Sequence, residues 1–422
     1  MSQMPIEIME KPKLDGELIH SYLEYLEIRI RFLLDRFQRY PDFPGVHTGY
    51  DSITGEEFSD KYIFPYSWIN GRGVSVFTRL ADFFPQYSEK LNAYALHVIS
   101  SMENHWELNN HHFPFMANLD GTEKDVGVKP LPGFKSYSDL YACAGFIEYG
   151  ARRNDKKRLD MAKEIFTTTI EALDERKFVT EPDPTPEDRI LENPWSVAVD
   201  LANEFVKHLN DQKYLDISAR LITYLLDHYY IESLGAYIEY ITPDGKPFLD
   251  EEERYIVDPG HAIEFCSFCL EFARLAAKYQ RFGSLCDRIH KIIPALLHWN
   301  IEHGWNKSYP GIYKTIDARS SAPLNETMPW WILPETLLGT ILGYESCNDS
   351  VFLQHFMNAH NTYFTIYMNT KTKYGPYQNI DGKTGKPVGV VPACKFQDPE
   401  FHSGKNILTV TEVYKRITDV DE

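Results

Sequence analysis

The 422-residue sequence has little of what marks a fibrous, exported or membrane-spanning chain. No apolar run approaches the roughly 18 residues that cross a bilayer. The first fourteen residues hold no basic segment followed by an apolar one, so no secretion signal is read there. Glycine (24) and proline (25) are too few for a fibrous chain. Cysteine is sparse: Cys143, Cys266, Cys269, Cys286, Cys347 and Cys394 lie scattered in apolar segments, without the spacing of a disulfide framework. The expectation is a cytoplasmic protein with free, buried thiols. Positive charge is also short, with 43 basic against 61 acidic residues and a net charge of −18. That field repels phosphate backbones and anionic lipid, so nucleic acid and membrane are excluded as partners. No glycine-rich phosphate loop is present, and no His/carboxylate set is spaced closely enough to demand a metal.

Aromatic residues, at 14%, are abundant. They either thicken a large core or line a site for a flat-faced ligand. Apolar positions recur at i, i+3 and i+4 over about twelve segments: 15–41, 65–84, 86–105, 134–153, 155–176, 194–209, 211–230, 260–279, 281–303, 326–343, 347–369 and 404–416. Asp15, Pro85, Asn193-Pro194 and Asp258-Pro259 stand where helices start. Very short links (Asn154-Asp155, Asn210-Asp211, Arg281) join helices in pairs, and longer loops follow each pair. Two of those loops carry strand-and-turn signals, at Ala236–Ile241 with Pro243-Asp244-Gly245 and at Gly375–Gln378 with Asp381-Gly382. No linker divides the chain. These features predict an all-α fold, an (α/α)6 barrel over 1–422 as one domain, with short β-hairpins on one rim. The fixed-period repeat of an open solenoid is missing.

In such a toroid the alternate helices form an inner ring, and their N-termini surround one pocket. Those starts read Trp68-Ile-Asn-Gly-Arg72, Tyr137-Ser-Asp-Leu-Tyr141, Glu192-Asn-Pro-Trp195, Asp258-Pro-Gly-His261-Ala-Ile-Glu264 and Trp330-Trp331-Ile-Leu-Pro-Glu335. Phe401-His402 precedes the last helix, followed by Lys405. His261 and Glu264 share a helix face at i, i+3, where a carboxylate can orient an imidazole. Taken alone, that pair reads more readily as a solvated helix start. Trp330 and Trp331 cannot both face the core of one helix. Arg72, between glycines in an apolar helix, needs a partner if buried, and an oxyanion or carboxylate is the natural one. Two histidines, two glutamates, an arginine and stacking rings suggest proton transfer at a carbon next to a carbonyl, with Arg72 on the enediolate oxygen. The Cys266-x-x-Cys269 pair lies in an apolar helical stripe with no second pair, and reads as core.

Arg72, the Pro259-Gly-His-Ala-Ile-Glu264 run, the Trp330-Trp-Ile-Leu-Pro-Glu335 run and Phe401-His402, in this order, resemble the N-acylglucosamine 2-epimerase superfamily, which includes cellobiose 2-epimerases and aldose–ketose isomerases. The resemblance covers essentially the whole chain and implies an (α/α)6 barrel. It implies that His261 and His402 are the acid/base pair, and that Glu264 positions His261 or assists ring opening. It further implies that Glu335 supports the second histidine and that Arg72 neutralises the O1/O2 charge. Tyr137, Trp195, Trp330, Trp331 and Lys405 then fall to sugar binding. The expected activity is a C2 epimerase acting on a small saccharide. The alternatives are an aldose–ketose isomerase, or a hydrolase, lyase or non-catalytic sugar binder on the same scaffold. The resemblance also implies no required cofactor, room for a nucleotide effect, and a tendency toward homodimers. The sixth helix start lacks the histidine of cellobiose epimerases, which brings the chain closer to the N-acylglucosamine type. Ser267, Gln397 and Lys405 depart from the usual Trp, Trp and Arg, and Arg254 stands one residue out of step. The expectation is therefore a retained catalytic frame with an altered recognition shell.

Overall fold

Residues 13–58, 63–127, 131–389 and 398–418 are described by the computed structural model of the protein. Twelve α-helices are found among them: α1 (Gly16–Arg39), α2 (Ser67–Phe83), α3 (Ser88–Leu108), α4 (Tyr137–Arg152), α5 (Lys156–Asp174), α6 (Asn193–Leu209), α7 (Gln212–His228), α8 (Pro259–Ala276), α9 (Gly283–Gly304), α10 (Ile332–Cys347), α11 (Val351–Thr362) and α12 (Asn406–Thr418). Their starts follow from local chemistry. The side chains of Asp15, Asp155, Asp211 and Asp258 accept free N–H groups of the first turns of α1, α5, α7 and α8. Ser136 and Asp139 form a reciprocal capping box on α4. The tight links bend at Asn154, Asn210 and Asn348, each with φ between 50° and 54°, a left-handed conformation that asparagine tolerates.

Burial sorts the helices into two rings. Every residue from Ile332 to Gly343 in α10 is buried, and α4 and α6 are nearly as enclosed. The outer helix α7 buries one stripe, Tyr214, Leu215, Ser218, Leu221, Ile222, Leu225 and Leu226, at helical spacing. The inner ring runs α2, α4, α6, α8, α10, α12, each packed on the next. The segment Phe401–Lys405 ahead of α12 closes the ring onto α2. Helices α3, α5, α7, α9 and α11 pack outside their inner partners. On α1, Tyr22 and Tyr25 meet Phe364, just beyond α11. The architecture is an (α/α)6 barrel.

Short links occupy one rim. The other rim is tied by two- and three-residue strands: Tyr230–Ile231 with Ala236–Tyr237, Ile190–Leu191 with Tyr240–Ile241, Ile256–Val257 with Thr315–Asp317, and Thr327–Pro329 with Asn379–Asp381. The expected hairpin turns are present at Thr242–Lys246 and Asp381–Lys386, but the strands beside them pair with distant segments more than with each other. That pairing corrects one helix boundary. The segment expected to be helical from 326 is strand up to Pro329, because its backbone is hydrogen-bonded to 379–381, and α10 begins six residues late. The eleventh helix stops at Thr362 and continues as a wider π turn, Tyr363–Tyr367.

Cys143, Cys266 and Cys269 are buried free thiols, so the C-x-x-C pair lies in the core; Cys394 lies outside the described residues. No helix among the described residues is long and apolar enough to cross a membrane.

Candidate active site

A cavity of about 440 Å³ opens on the strand-bearing rim, among the N-termini of α2, α4, α6, α8 and α10. His261 and His402 both line it, and they are built alike. His261 is the third residue of α8, fixed by the Asp258 cap, and its Nδ1 lies 2.9 Å from Glu239 Oε1. Asp258 and Glu192 stand behind that contact at 3.5 and 3.8 Å. His402 follows Glu400, a left-handed residue (φ 69°), and its Nδ1 lies 2.7 Å from Glu335 Oε1, with Glu264 at 3.7 Å. Each ring therefore gives Nδ1 to a carboxylate and keeps Nε2 for the cavity. The Trp331 indole stands between the two rings, 5.6 Å from His261 at 28° and 5.5 Å from His402 at 37°.

The surroundings set the two imidazoles to different proton affinities. Burial alone lowers His261, but Asp258 and Glu239 outweigh it and raise the ring to about 9, with Lys314 opposing. Burial also lowers His402, and there the nearby Arg72 charge adds to it, holding the ring down at about 3. Near neutrality one ring is an imidazolium and the other a free base. Burial pushes Glu335 up to about 7 and Glu264 well above its usual range, the latter helped by Glu335. Burial and neighbouring Glu239 push Glu192 up to about 8.

Arg72 enters from α2. Its guanidinium lies 3.9 Å from the Tyr141 ring centroid, with Phe401 and Trp68 at 5.0 and 5.4 Å. Among the described residues it forms no ion pair. Its Nε is buried without a hydrogen-bond partner, and Tyr141, Asp398 and Glu264 support its charge. A half-buried, underused guanidinium at a cavity wall is a preorganised receptor for negative charge that forms during a reaction.

The N-acylglucosamine 2-epimerase (GlcNAc 2-epimerase) family profile matches residues 68–397. The chain belongs to this family. Membership places it among carbohydrate epimerases and isomerases. Comparison with curated proteins by sequence gives no match. Among solved structures, it is similar to the cellobiose 2-epimerase of Bacillus thermoamylovorans, with a TM-score of 0.74 and 14% identity over 94% of this chain and 100% of that one. D-mannose isomerase gives a TM-score of 0.73 at 10% identity, over 94% and 98%. A family 76 glycoside hydrolase from a bovine Bacteroides thetaiotaomicron strain gives 0.55 at 11%, over 93% and 78%. At these identities the likeness is one of fold.

Within this family frame, the cavity gathers His261, His402, Glu264, Arg72, Tyr137 and Trp331. Glu335 stands behind His402, outside the cavity wall. The hydrogen-bonding carboxylate on His261 is Glu239, whereas Glu264 faces the His402 side; the expectation that Glu264 positions His261 is corrected accordingly. Trp330 and Trp331 diverge because neither is in the helix proper. Trp330 follows the strand and donates Nε1–H to Gln378 behind His402, and Trp331 is the cap residue of α10. Trp195 does not reach the cavity: it packs on Tyr224 and lines a neighbouring recess. Lys405 points below the floor, where it is paired with Asp200. Ser267 is buried on the same lower side, bonded to the Ile263 carbonyl, and Arg254 pairs with Asp250 and Glu252. Gln397 lies outside the described residues. Glu239, Glu181, Lys314 and Asp398 were missed because they sit in strands and loops, and Glu192, the cap residue of α6, was read only as part of a helix start. The signal for Glu239 was weak: one acid among Tyr237, Ile238 and Tyr240.

Proposed function

We propose that the protein is a cofactor-independent C2 epimerase of a neutral saccharide, with His402 as the base and His261 as the acid. Neutral His402 takes the C2 proton of the open-chain aldose at Nε2. The C–H electron pair becomes the C1=C2 bond of an enediolate, and the negative charge gathers on O1, facing Arg72. The His261 imidazolium then delivers a proton from Nε2 to the opposite face of C2, giving the epimer. Delivery at C1, with the O2 proton passing to O1, instead gives the ketose. The observation that carries this reading is the pair of imidazoles on one cavity, each tied through Nδ1 to a carboxylate and held at unequal proton affinity. General acid–base catalysis of this kind needs no redox partner. Asp183, Glu239 and Asp258 line the cavity against Arg72, Lys314 and the His261 imidazolium, so the lining offers no cationic excess for a phosphorylated sugar. A two-carboxylate hydrolase has less support, because Glu335 does not line the main cavity.

The test is deuterium incorporation at C2 in D2O across neutral hexoses, N-acetylhexosamines and disaccharides, with product identity read by NMR. The expected result is solvent deuterium at C2 of an epimer, abolished by His402→Ala. A ketose product would assign the isomerase alternative. No exchange with any sugar, combined with release of reducing ends from an oligosaccharide, would overturn the reading.

A further inference from the structure

On the outer wall, away from the cavity, helices α9 and α11 bring together three side chains that the proposed chemistry does not use. His298 and Glu302 stand at i and i+4 on α9, on one face. His355 faces them from α11. His298 Nδ1 lies 2.9 Å from His355 Nε2, and the latter lies 3.7 Å from Glu302 Oε1. All three atoms fall within 4.8 Å of one another. The imidazoles meet nitrogen to nitrogen with their rings tilted by 43°, an arrangement unlike stacking. We propose that His298, Glu302 and His355 form a binding site for a divalent transition metal of borderline softness, for which zinc is the natural probe.

Four-coordinate zinc with bonds near 2.0–2.1 Å sets neighbouring ligand atoms about 3.3 Å apart. The two observed separations straddle that value and the third lies within 4.8 Å, so closing on a metal falls mainly to the Glu302 side chain. Glu302 is half exposed and free to move. A cavity of about 150 Å³ opens beside Glu302 and His355, giving room for a water in the fourth position. Three other His/carboxylate clusters exist among the described residues, and each is otherwise occupied. Two belong to the His261 and His402 sites. The third, Glu148–Glu204–His208, is already neutralised by Arg79, Arg152 and Lys207. Among the described residues Glu302 has no cationic partner of that kind, although Lys307 lines the same small cavity and weakens metal attraction. A metal here would clamp the two outer helices that pack on either side of α10, the helix whose start carries Trp331 and Glu335.

The experiment is calorimetric titration of chelator-treated full-length protein with zinc, repeated with cobalt to read the visible bands of four-coordinate Co(II). Wild type is expected to bind one equivalent at this site and to gain thermal stability that a chelator reverses. His298→Gln and His355→Gln are each expected to weaken that equivalent by at least about tenfold. Glu302→Gln, on an exposed side chain, weakens it without risk to folding, and Lys307→Gln tightens it. The double variant His261→Ala/His402→Ala is expected to keep it, which separates this site from the catalytic clusters. The proposal is overturned if wild type binds no zinc well above the protein concentration. It is equally overturned if the bound equivalent survives His355→Gln and Glu302→Gln, or disappears only in the catalytic double variant.

Discussion

Two imidazoles of one chain differ here because their neighbours differ. His261 faces Asp258, Glu239 and Glu192, with Lys314 opposing; His402 faces Glu335, Glu264 and Asp398, with Arg72 opposing. The raised His261 gives a definite sign. An activity that needs its imidazolium holds up to about pH 9 and falls above it. Glu239→Gln removes the bonded carboxylate, so the alkaline limb of the kcat profile is expected to move toward the unperturbed value of about 6.5. An unchanged limb would remove Glu239 from that role. The stability that the charged ring contributes is fully present below pH 6.5 and is lost as pH rises through about 9. His402→Ala is expected to cost about 10²–10⁴-fold in C2 exchange. The histidines, Arg72 and Trp331 were legible in the sequence because each sits at the start of an inner helix or just before one. Glu239 was not, since a lone acid between aromatic strand residues reads as a solvated face. Trp195 and Lys405 were misplaced because periodicity says that a residue is near a rim but not on which side of its helix it lies.

Helices declare themselves through apolar spacing and caps, and eleven of the twelve starts fell within about four residues of the pattern. The exception, α10, starts late because pairing with a segment fifty residues away outranks local preference. How closely the helices approach was also hidden. A Cβ on Gly71 would sit 2.0 Å from the Tyr141 carbonyl oxygen, so α2 and α4 touch backbone to backbone beside Arg72. Gly71→Ala is expected to cost roughly 1–3 kcal/mol and to lower kcat by displacing Arg72. Calorimetry and deuterium exchange on the same sample read both effects. The element that holds His402 is anchored from outside the inner ring. Arg29 of α1, 1% exposed, bonds Glu400 at 2.6 Å and the carbonyls of Thr372 and Lys373. Arg29→Ala strands that buried carboxylate, with an expected loss of about 3–5 kcal/mol, read as a lowered denaturation midpoint.

At the scale of the whole molecule, the thiols report on how tightly the double ring is closed. Burial raises Cys143, Cys266 and Cys269 far above the reactive range, whereas Cys347 is exposed. Peptide mapping after brief alkylation of native protein is expected to find Cys347 modified, Cys286 slower, and Cys143, Cys266 and Cys269 modified only after unfolding. Early modification of Cys266 would mean that the inner ring breathes. The unequal pair of imidazoles also has a consequence between turnovers. On the proposed cycle each forward pass leaves the proton on His402 and empties His261. The protein that releases product is then a protonation isomer of the one that bound substrate. Return to the resting arrangement is steeply downhill but needs solvent, so the hydrogen that left the sugar exchanges away before it can be reused. For that brief interval the empty protein keeps a memory of which epimer it last let go.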